Sequence, residues 1–273
     1  MEDSLYIVMQ EKNSRVAKWL LSYFGREPLW EDLTPVNLKK FNEYLQEHLS
    51  INSVKTYIAE LRSVINLYRE EKDIPVSKVN LKTVLKTKSV KSTNCYLTIE
   101  ELERIGNLTG LNEIQRNVRD MFLLQAWCGC RLSDAITLTA ENIDGEFLSY
   151  TSQKTRVYTS VPIKPLVRDI VRRMPEIKLH NTMTYNRTVH RLCKMAGITQ
   201  QESIWRAGKR CTAPKYELIS SHSARRSFAT NLYEAGIEIG KISYMMGHTD
   251  TAMTERYICS NMEINDDIRD FFK

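Results

Sequence analysis

A lysine-rich stretch without acids divides the chain into two parts with different patterns. The five lysines between positions 78 and 91 are Lys78, Lys82, Lys86, Lys88 and Lys91. Residues 86–94, KTKSVKSTN, also lack apolar periodicity, which is typical of a linker. The sequence therefore predicts a first domain at 1–85, a basic linker at 86–97 and a second domain at 98–273. Such a linker is either a solvated tether or a segment that lies along phosphates.

The first domain is predicted to be entirely helical, because apolar residues recur at helical spacing in three segments. Gly25 marks the end of a helix over 12–24, and Thr34 and Pro35 favour the start of the next. The three stripes are Val16, Trp19, Leu20, Tyr23 and Phe24; Leu38, Phe41 and Leu45; and Val54, Ile58, Leu61, Ile65 and Tyr68. A shorter fourth helix is expected at about 76–85.

The second domain is predicted to be mainly α with a small antiparallel β-sheet or hairpin. Thr98 and Glu101 have the spacing of a capping box, and a strongly apolar helix is expected at 115–127. The segment EFLSYTSQKTRVYTSVPI favours two strands joined by a polar turn near Gln153–Thr155. Helical periodicity returns after Pro165.

Composition excludes several classes of protein. Hydrophobic residues make up 42% and charged residues 26% of the 273 positions, which indicates a folded chain. The sequence has no run of about 18 apolar residues and no signal-like start, so we expect no membrane association. The six cysteines lack zinc-site spacing, and we expect free thiols in a reducing compartment. The net charge of +6 favours a polyanionic partner, although mildly basic soluble proteins are common.

Five short polar motifs follow one another in the second domain. Each has an ordinary explanation in isolation: Arg131 could begin a helix and pair with Asp134, and Lys154 could be a turn residue. The same holds for His222, which would be a surface residue. The motifs are GCRLSDAITL (129–138), QKT (153–155), HSARRSFAT (222–230), MGHTD (246–250) and ERY (255–257).

In this order the motifs resemble those of the tyrosine recombinase (phage integrase) family. That family has an Arg in Gly-x-Arg with an acid three residues on, a Lys on a β-hairpin, and a His-x-x-Arg. A Gly-His follows, with a Tyr about nine residues beyond its His. The resemblance covers 98–260 through motifs and about 10–90 through the helical pattern. It implies a SAM-like helical core-binding domain followed by a tyrosine recombinase catalytic domain.

The resemblance implies six catalytic residues: Arg131, Lys154, His222, Arg225, His248 and Tyr257. Tyr257 would attack a DNA phosphodiester and form a 3′-phosphotyrosine, which conserves the bond energy so that no ATP is needed. Arg131 and Arg225 would hold the non-bridging oxygens, and Lys154 would protonate the leaving 5′-oxygen.

The two histidines and an acid would support this chemistry. His222 and His248 would bind the phosphate or help to deprotonate Tyr257, because free tyrosine has a pKa of about 10. Asp134 would fix Arg131 through a salt bridge. We expect no cofactor and no metal, since these cations would replace the Mg²⁺ of two-metal nucleases.

One position departs from the family pattern. Arg226 stands where many members have a second histidine, and we expect it to tune activity rather than abolish it. Arg226 and the five lysines between positions 78 and 91 are also the expected DNA contacts. The chain looks like the compact, Xer-like two-domain architecture, or like a fragment without a further arm-type module.

The resulting hypothesis is a site-specific DNA recombinase that clamps duplex DNA between its domains. The resemblance implies a homo-tetramer on two recombination sites, linked by exchange of the amphipathic tail at 262–273, although a tail folded back on its own domain also fits. Accessory DNA-bending or directionality proteins are further expected partners. We expect a cytoplasmic protein of bacterial, phage or mobile-element origin. The alternatives are a type IB topoisomerase-like relaxase and a DNA-binding regulator without catalysis.

Overall fold

The computed structural model describes residues 4–72, 74–76, 80–90, 93–179, 181–206 and 208–259. Contacts between residues divide the chain into two units. The first comprises Met1–Ser92 with Trp205–Lys209, and the second comprises Thr93–Ile204 with Arg210–Lys273. The division after residue 92 lies inside the predicted linker, while the predicted domain bounds themselves stay a prediction.

The first unit is built from α-helices. Ser4 begins α1 by accepting a hydrogen bond from the Ile7 backbone, and Gly25 ends it with a positive φ of 68°. The helix is interrupted at Asn13, whose backbone is not helical. The helices are α1 (Leu5–Phe24), α2 (Pro35–His48), α3 (Ile51–Tyr68) and α4 (Leu81–Val84).

The predicted stripes form the core of this unit. Burial of such side chains removes apolar area from water and stabilises the fold by roughly 25 cal/mol per Å². This burial is the main force that holds short helices together. Residues of all three stripes are fully or nearly fully buried: Val16, Leu20, Leu38, Phe41, Leu45, Val54, Ile58, Leu61 and Ile65. The aromatic members Trp19, Tyr23, Phe24 and Tyr68 are partly buried and pack against them.

The fourth helix is shorter than predicted. The expected range was 76–85, whereas α4 covers Leu81–Val84. The Asn80 side chain accepts a hydrogen bond from the Lys82 backbone and so begins the helix late. Leu85 leaves the helical conformation at the other end.

The lysine-rich stretch is hydrogen-bonded to side chains of α2 and α3, including that of Arg62, which donates to the Leu85 carbonyl. The Asn42 amide donates to the Lys86 carbonyl at 2.9 Å, and the Asn52 side chain exchanges two hydrogen bonds with the Val90 backbone at 3.2 Å. The Lys82, Lys86 and Lys88 side chains are exposed, whereas Lys78 and Lys91 lie outside the described residues.

The second unit contains a core built around one long helix, α6. The predicted capping box is confirmed at α5, where Thr98 and Glu101 each bond the other's backbone. The apolar helix predicted at 115–127 is α6, capped by Asn112 and Gly129. The helices are α5 (Ile99–Gly106), α6 (Glu113–Cys128), α7 (Leu132–Ala135), α8 (Pro165–Arg172), α9 (Thr182–Met195), α10 (Lys215–Leu218), α11 (Ser221–Glu234), α12 (Ile239–Met245) and α13 (Thr251–Glu255).

An antiparallel three-stranded sheet carries the predicted hairpin. Its strands are β1 (Ile143–Asp144), β2 (Phe147–Thr151) and β3 (Tyr158–Pro162), in that order. Tyr150 on β2 lies opposite Thr159 on β3. The polar turn near Gln153–Thr155 joins the two longer strands, as the sequence predicted.

A second hairpin, β4 (Gln201–Arg206) and β5 (Lys209–Pro214), was not predicted from the sequence. Its strands are mostly exposed, so they lack the apolar alternation that reveals a half-buried strand. The predicted tail at 262–273 lies outside the described residues. No helix within the described ranges is long and apolar enough to cross a membrane.

Candidate active site

Arg225 lies at the centre of the candidate site, on α11, with only 1% of its surface exposed. A charge this deeply buried needs hydrogen-bond partners. Its Nη1 donates to the Gly129 carbonyl, and its Nη2 donates to the Met246 carbonyl at 3.1 Å. Nη2 also donates to Nε2 of His248 at 2.8 Å. Burial lowers the pKa of Arg225, which nevertheless stays charged because a guanidinium does not deprotonate in proteins.

The contact with Arg225 fixes the tautomer of His248. Arginine has no acceptor, so Nε2 of His248 must accept, and Nδ1 carries the proton. That proton is donated to Oγ1 of the buried Thr254, 2.8 Å away. Burial lowers the pKa of His248 to about 4, helped by the charges of Arg225 and Arg131. His248 is therefore a neutral acceptor in this arrangement.

Arg131 is linked to Asp134 mainly through a serine. Nη1 of Arg131 donates to Oγ of Ser152 at 2.8 Å, and this hydroxyl donates to Asp134 at 3.1 Å. The direct distance between Arg131 and Asp134 is 3.9 Å, which is longer than a hydrogen bond. The expected salt bridge is thus loose, and the hydroxyl of fully buried Ser152 makes the closer connection.

Asp134 also fixes the turn that carries Lys154. Its second oxygen accepts from the Gln153 backbone at 3.0 Å. The Lys154 side chain itself is exposed. The next residue, Thr155, donates from Oγ1 to the Gly247 carbonyl at 2.8 Å, so the lysine turn is tied to the residue before His248.

His222 lies in the first turn of α11, beside the same cations. Partial burial lowers its pKa, and four positive charges act in the same direction: Arg225, Arg226, Arg131 and Lys154. Since this effect falls with distance, these groups face one region of the second unit. Such a region is suited to an anion.

Tyr257 follows α13 and lies against the two arginines of HSARRSFAT. The guanidinium carbons of Arg225 and Arg226 are each 5.3 Å from the centroid of its ring. The His248 ring lies 5.3 Å from it, tilted by 37°. Nη1 of Arg226 donates to the carbonyl of Arg256 at 2.7 Å.

In the second unit the structure brings Arg225, His248 and Tyr257 into contact. The charge of Arg131 acts on Arg225 and His248, and the turn that carries Lys154 is tied to Gly247. Lys82, Lys86 and Lys88 belong to the first unit. Sequence reasoning missed Ser152, because a serine two residues before a lysine has no distinguishing pattern. Within the described part of the chain, no three His, Cys, Asp or Glu side chains group as a metal site.

Residues 95–263 match the model of the phage integrase family, which is more than half of the chain. The protein therefore belongs to the tyrosine recombinase (phage integrase) family, as the motifs predicted, and its mainly α fold with small antiparallel sheets agrees.

The chain is similar to the tyrosine recombinase XerC of Natranaerobius thermophilus, with 26% identity over 241 residues. The match covers 84% of this chain and 79% of that protein. Among solved structures it resembles the XerH site-specific recombinase bound to palindromic difH substrate, at a TM-score of 0.70 and 15% identity over 97% of this chain and 80% of that one. It also resembles the Tn1549 transposon integrase in complex with circular intermediate DNA, at a TM-score of 0.66 and 15% identity over 98% of both chains. At this identity the two structures show the shared fold.

Proposed function

We propose that this protein is a site-specific DNA recombinase that cuts and rejoins DNA through a covalent 3′-phosphotyrosine. The observation that carries the proposal is the position of Tyr257. Its ring lies 5.3 Å from the guanidinium of a buried arginine, Arg225, and 5.3 Å from the ring of a histidine, His248. A tyrosine beside fixed cations is suited to attack a phosphodiester.

The first step is attack of the Tyr257 oxygen on phosphorus. The bond from phosphorus to the tyrosine oxygen forms as the bond to the 5′-oxygen breaks, and the tyrosine proton passes to solvent water. The 5′-oxygen takes up a proton and departs as a hydroxyl. Rejoining is the reverse reaction with another 5′-hydroxyl, so the number of high-energy bonds does not change and no ATP is required.

The two arginines hold the non-bridging oxygens, where negative charge develops in the transition state. Three of the five N–H groups of a guanidinium are used by the bonds of Arg225 to Gly129, Met246 and His248. The Nε–H of Arg225 is buried without a hydrogen-bond partner among the described residues, and we propose that it donates to a phosphate oxygen. Arg131 is oriented by Ser152, which fixes its guanidinium before the substrate arrives.

Lys154 is the proposed general acid for the leaving 5′-oxygen. Its side chain is exposed on a turn, and the turn is held on both sides by Asp134 and Gly247. A long flexible side chain on a fixed turn reaches a phosphate without moving the backbone. The cations supply the charge stabilisation, so we expect cleavage in EDTA and no cofactor.

His248 is the proposed positioning group and His222 the proposed phosphate contact. Neutral His248 orients Arg225 by accepting its N–H and is held in turn by Thr254. His222 faces four cations and lies in the first turn of a helix, where a phosphate is favoured.

The proposed substrate is double-stranded DNA, because the Tn1549 transposon integrase, whose fold this chain shares, forms a complex with circular intermediate DNA. We further propose a homo-tetramer on two sites, tail exchange through 262–273, and accessory DNA-bending or directionality proteins. Exposed Lys82, Lys86 and Lys88 are proposed to bind phosphates, with Lys78 and Lys91. The protein would act in the cytoplasm, on chromosomal or mobile-element DNA.

Two other functions share parts of this proposal. A type IB topoisomerase-like relaxase would form the same adduct without strand exchange between two sites. A regulator would bind DNA without any adduct. The hydrogen-bonded Arg131, Arg225 and His248 set supports an enzyme over a regulator, because each is oriented by a buried partner.

A covalent trap tests the proposal. The protein is mixed in EDTA with sheared DNA from its source and its mobile elements, the reaction is stopped with SDS, and the attached DNA is sequenced. Tyr257→Phe removes only the attacking oxygen, and Tyr244→Phe is the matched control because Tyr244 is an exposed tyrosine of the same unit. We expect adducts with the natural protein and Tyr244→Phe but none with Tyr257→Phe.

Adducts that persist in Tyr257→Phe would show that another residue attacks. DNA binding without adducts in any of the three proteins would favour the regulator. Once a site is recovered, strand exchange between two copies of it separates the recombinase from the relaxase.

A further inference from the structure

We propose that Arg226 and Thr230 on α11 form a clasp, which means that they hold the backbone on both sides of Tyr257. The clasp positions the Tyr257 oxygen for attack on DNA in the active site of the same chain. The inference rests on the proposed function and assigns a role to the position at which this chain departs from the family pattern. Arg226 is then a positioning residue rather than only a DNA contact.

Arg226 holds the backbone on one side of Tyr257. Its Nη1 donates to the carbonyl of Arg256 at 2.7 Å, the distance of a charge-assisted hydrogen bond. The same guanidinium lies 5.3 Å from the ring centroid of Tyr257. One side chain therefore contacts both the peptide before Tyr257 and its ring.

Thr230 holds the backbone on the other side. This fully buried residue accepts a hydrogen bond from the Cys259 N–H at 3.0 Å, and its hydroxyl lies 3.4 Å from the Tyr257 carbonyl, to which it donates. Arg226 and Thr230 are four residues apart and so share one face of α11. This face grips the chain at residues 256, 257 and 259.

Packing also holds this segment, because Tyr257 and Ile258 lie against an apolar cluster that includes Phe228 and Met246. The helix before it, α13, has five residues, and the Tyr257 N–H bonds only to Thr254 at the end of that helix. The clasp adds three hydrogen bonds to this packing and so helps to fix where the Tyr257 oxygen lies. An error of about 1 Å in such a position costs on the order of 100-fold in rate.

The competing role for Arg226 is a phosphate contact. The two roles predict that substitution of Arg226 lowers different quantities, either the DNA affinity or the cleavage rate. A phosphate contact would contribute to affinity, and its removal would lower the slope of log affinity against log salt by about 1. The clasp would contribute to the cleavage rate at saturating DNA, and its removal would leave affinity and slope nearly unchanged.

The kinetic experiment compares the natural protein with Arg226→Gln, Arg226→Lys and Thr230→Val. A duplex that carries the site recovered by covalent trapping is used at saturation, and adduct formation is followed in a single turnover. We expect rates about 10- to 100-fold lower for Arg226→Gln and Thr230→Val, with affinity within about twofold. Arg226→Lys keeps one N–H for the Arg256 carbonyl and should recover part of the rate.

Loss of affinity with a reduced salt slope in Arg226→Gln, at an unchanged saturated rate, would overturn the clasp. So would an unchanged rate in both Arg226→Gln and Thr230→Val. If the natural protein forms no adduct with any DNA, the proposed function fails, and the clasp is then judged by the DNA-free measurement.

That measurement uses trypsin, because the clasped carbonyl belongs to an exposed arginine, Arg256. Trypsin cleaves after Arg256 only when this peptide leaves α11. We expect faster cleavage there in Arg226→Gln and Thr230→Val, while cleavage after the exposed Arg172 at the end of α8 keeps its rate as an internal standard. Equal cleavage after Arg256 in all proteins would contradict the clasp, whatever the DNA experiments show.

Discussion

Arg225 shows at the residue scale how one buried charge organises a site. Its three hydrogen bonds reach Gly129, Met246 and His248, which lie in two distant parts of the sequence. The motifs placed Arg225 and His248 in the catalytic set, but a motif does not state which atom donates to which. The neutral state of His248 follows only from the geometry, because arginine has nothing with which to accept.

The stability of the second unit is expected to fall as the pH falls from 6.5 towards 4. Burial holds the pKa of His248 at about 4, so the folded protein keeps it neutral while the unfolded chain binds a proton below about 6.5. The contribution of His248 to the free energy of unfolding is fully present above pH 6.5. About 2 kcal/mol is lost by pH 5, at 1.36 kcal/mol for each unit of pKa difference.

Unfolding by denaturant at pH 7.5 and at pH 5 measures this loss. His248→Asn removes the titrating group and should show a pH dependence smaller by about 2 kcal/mol. An equal pH dependence in both proteins would mean that His248 titrates normally in the folded state.

Ser152→Ala is expected to slow cleavage by about 10-fold with little change in DNA affinity. The substitution removes the hydroxyl that joins Arg131 to Asp134 and leaves a buried carboxylate oxygen with one partner fewer, at a cost of about 1–3 kcal/mol. Ser149→Ala is the matched control, since Ser149 lies on β2, the strand that ends just before Ser152, and bonds Ser160 instead. Equal effects of the two substitutions would show that Ser152 has no role in orienting Arg131.

Turns and helix ends explain, at the element scale, why distant segments meet. The lysine turn and the turn before His248 are joined by the bond from Thr155 to Gly247, and Thr159 adds a bond to the Tyr244 carbonyl at 2.6 Å. Helical spacing and capping signals predicted the long helices of both units. They did not predict the break at Asn13 or the exposed β4–β5 hairpin, because neither interrupts or creates a buried stripe.

Gly129→Ala is expected to destabilise the second unit by roughly 3 kcal/mol or more. Gly129 ends α6 with φ +66°, where any side chain is strained by about 1–2 kcal/mol. An added Cβ would also lie 2.4 Å from a ring carbon of Phe228, which forces α11 to move. Thermal unfolding measures the change.

Gly236→Ala separates the two contributions. Gly236 has φ +79°, but a Cβ there meets nothing within 4 Å, so only the backbone strain of about 1–2 kcal/mol is expected. Similar losses from both substitutions would show that Phe228 and α11 adapt to the added methyl group.

At the scale of the whole molecule, the sequence predicted two domains from the change of pattern near the lysines, and contacts divide the chain after residue 92. The six catalytic candidates were predicted from an order and spacing that match the family pattern, and their roles stay a prediction. The loose salt bridge between Arg131 and Asp134 was not predicted, because the spacing of the two residues does not reveal that Ser152 lies between their side chains.

Deletion of residues 262–273 is expected to weaken cooperative assembly on two DNA sites more than binding to one site. The apolar positions Ile264, Ile268 and Phe271 recur at helical spacing, which suits a segment that packs on another protomer. Gel-shift titrations on one-site and two-site duplexes measure both affinities. Equal losses on the two duplexes would contradict the proposed tail exchange.

The cations around His222 have a calorimetric consequence. In the free protein, partial burial and four neighbouring positive charges lower the pKa of this imidazole. A phosphate diester that neutralises those charges would raise the pKa, so the complex would take up a proton from the buffer. The heat of DNA binding would then change with the ionisation enthalpy of the buffer, and affinity would decline as the solution becomes more alkaline.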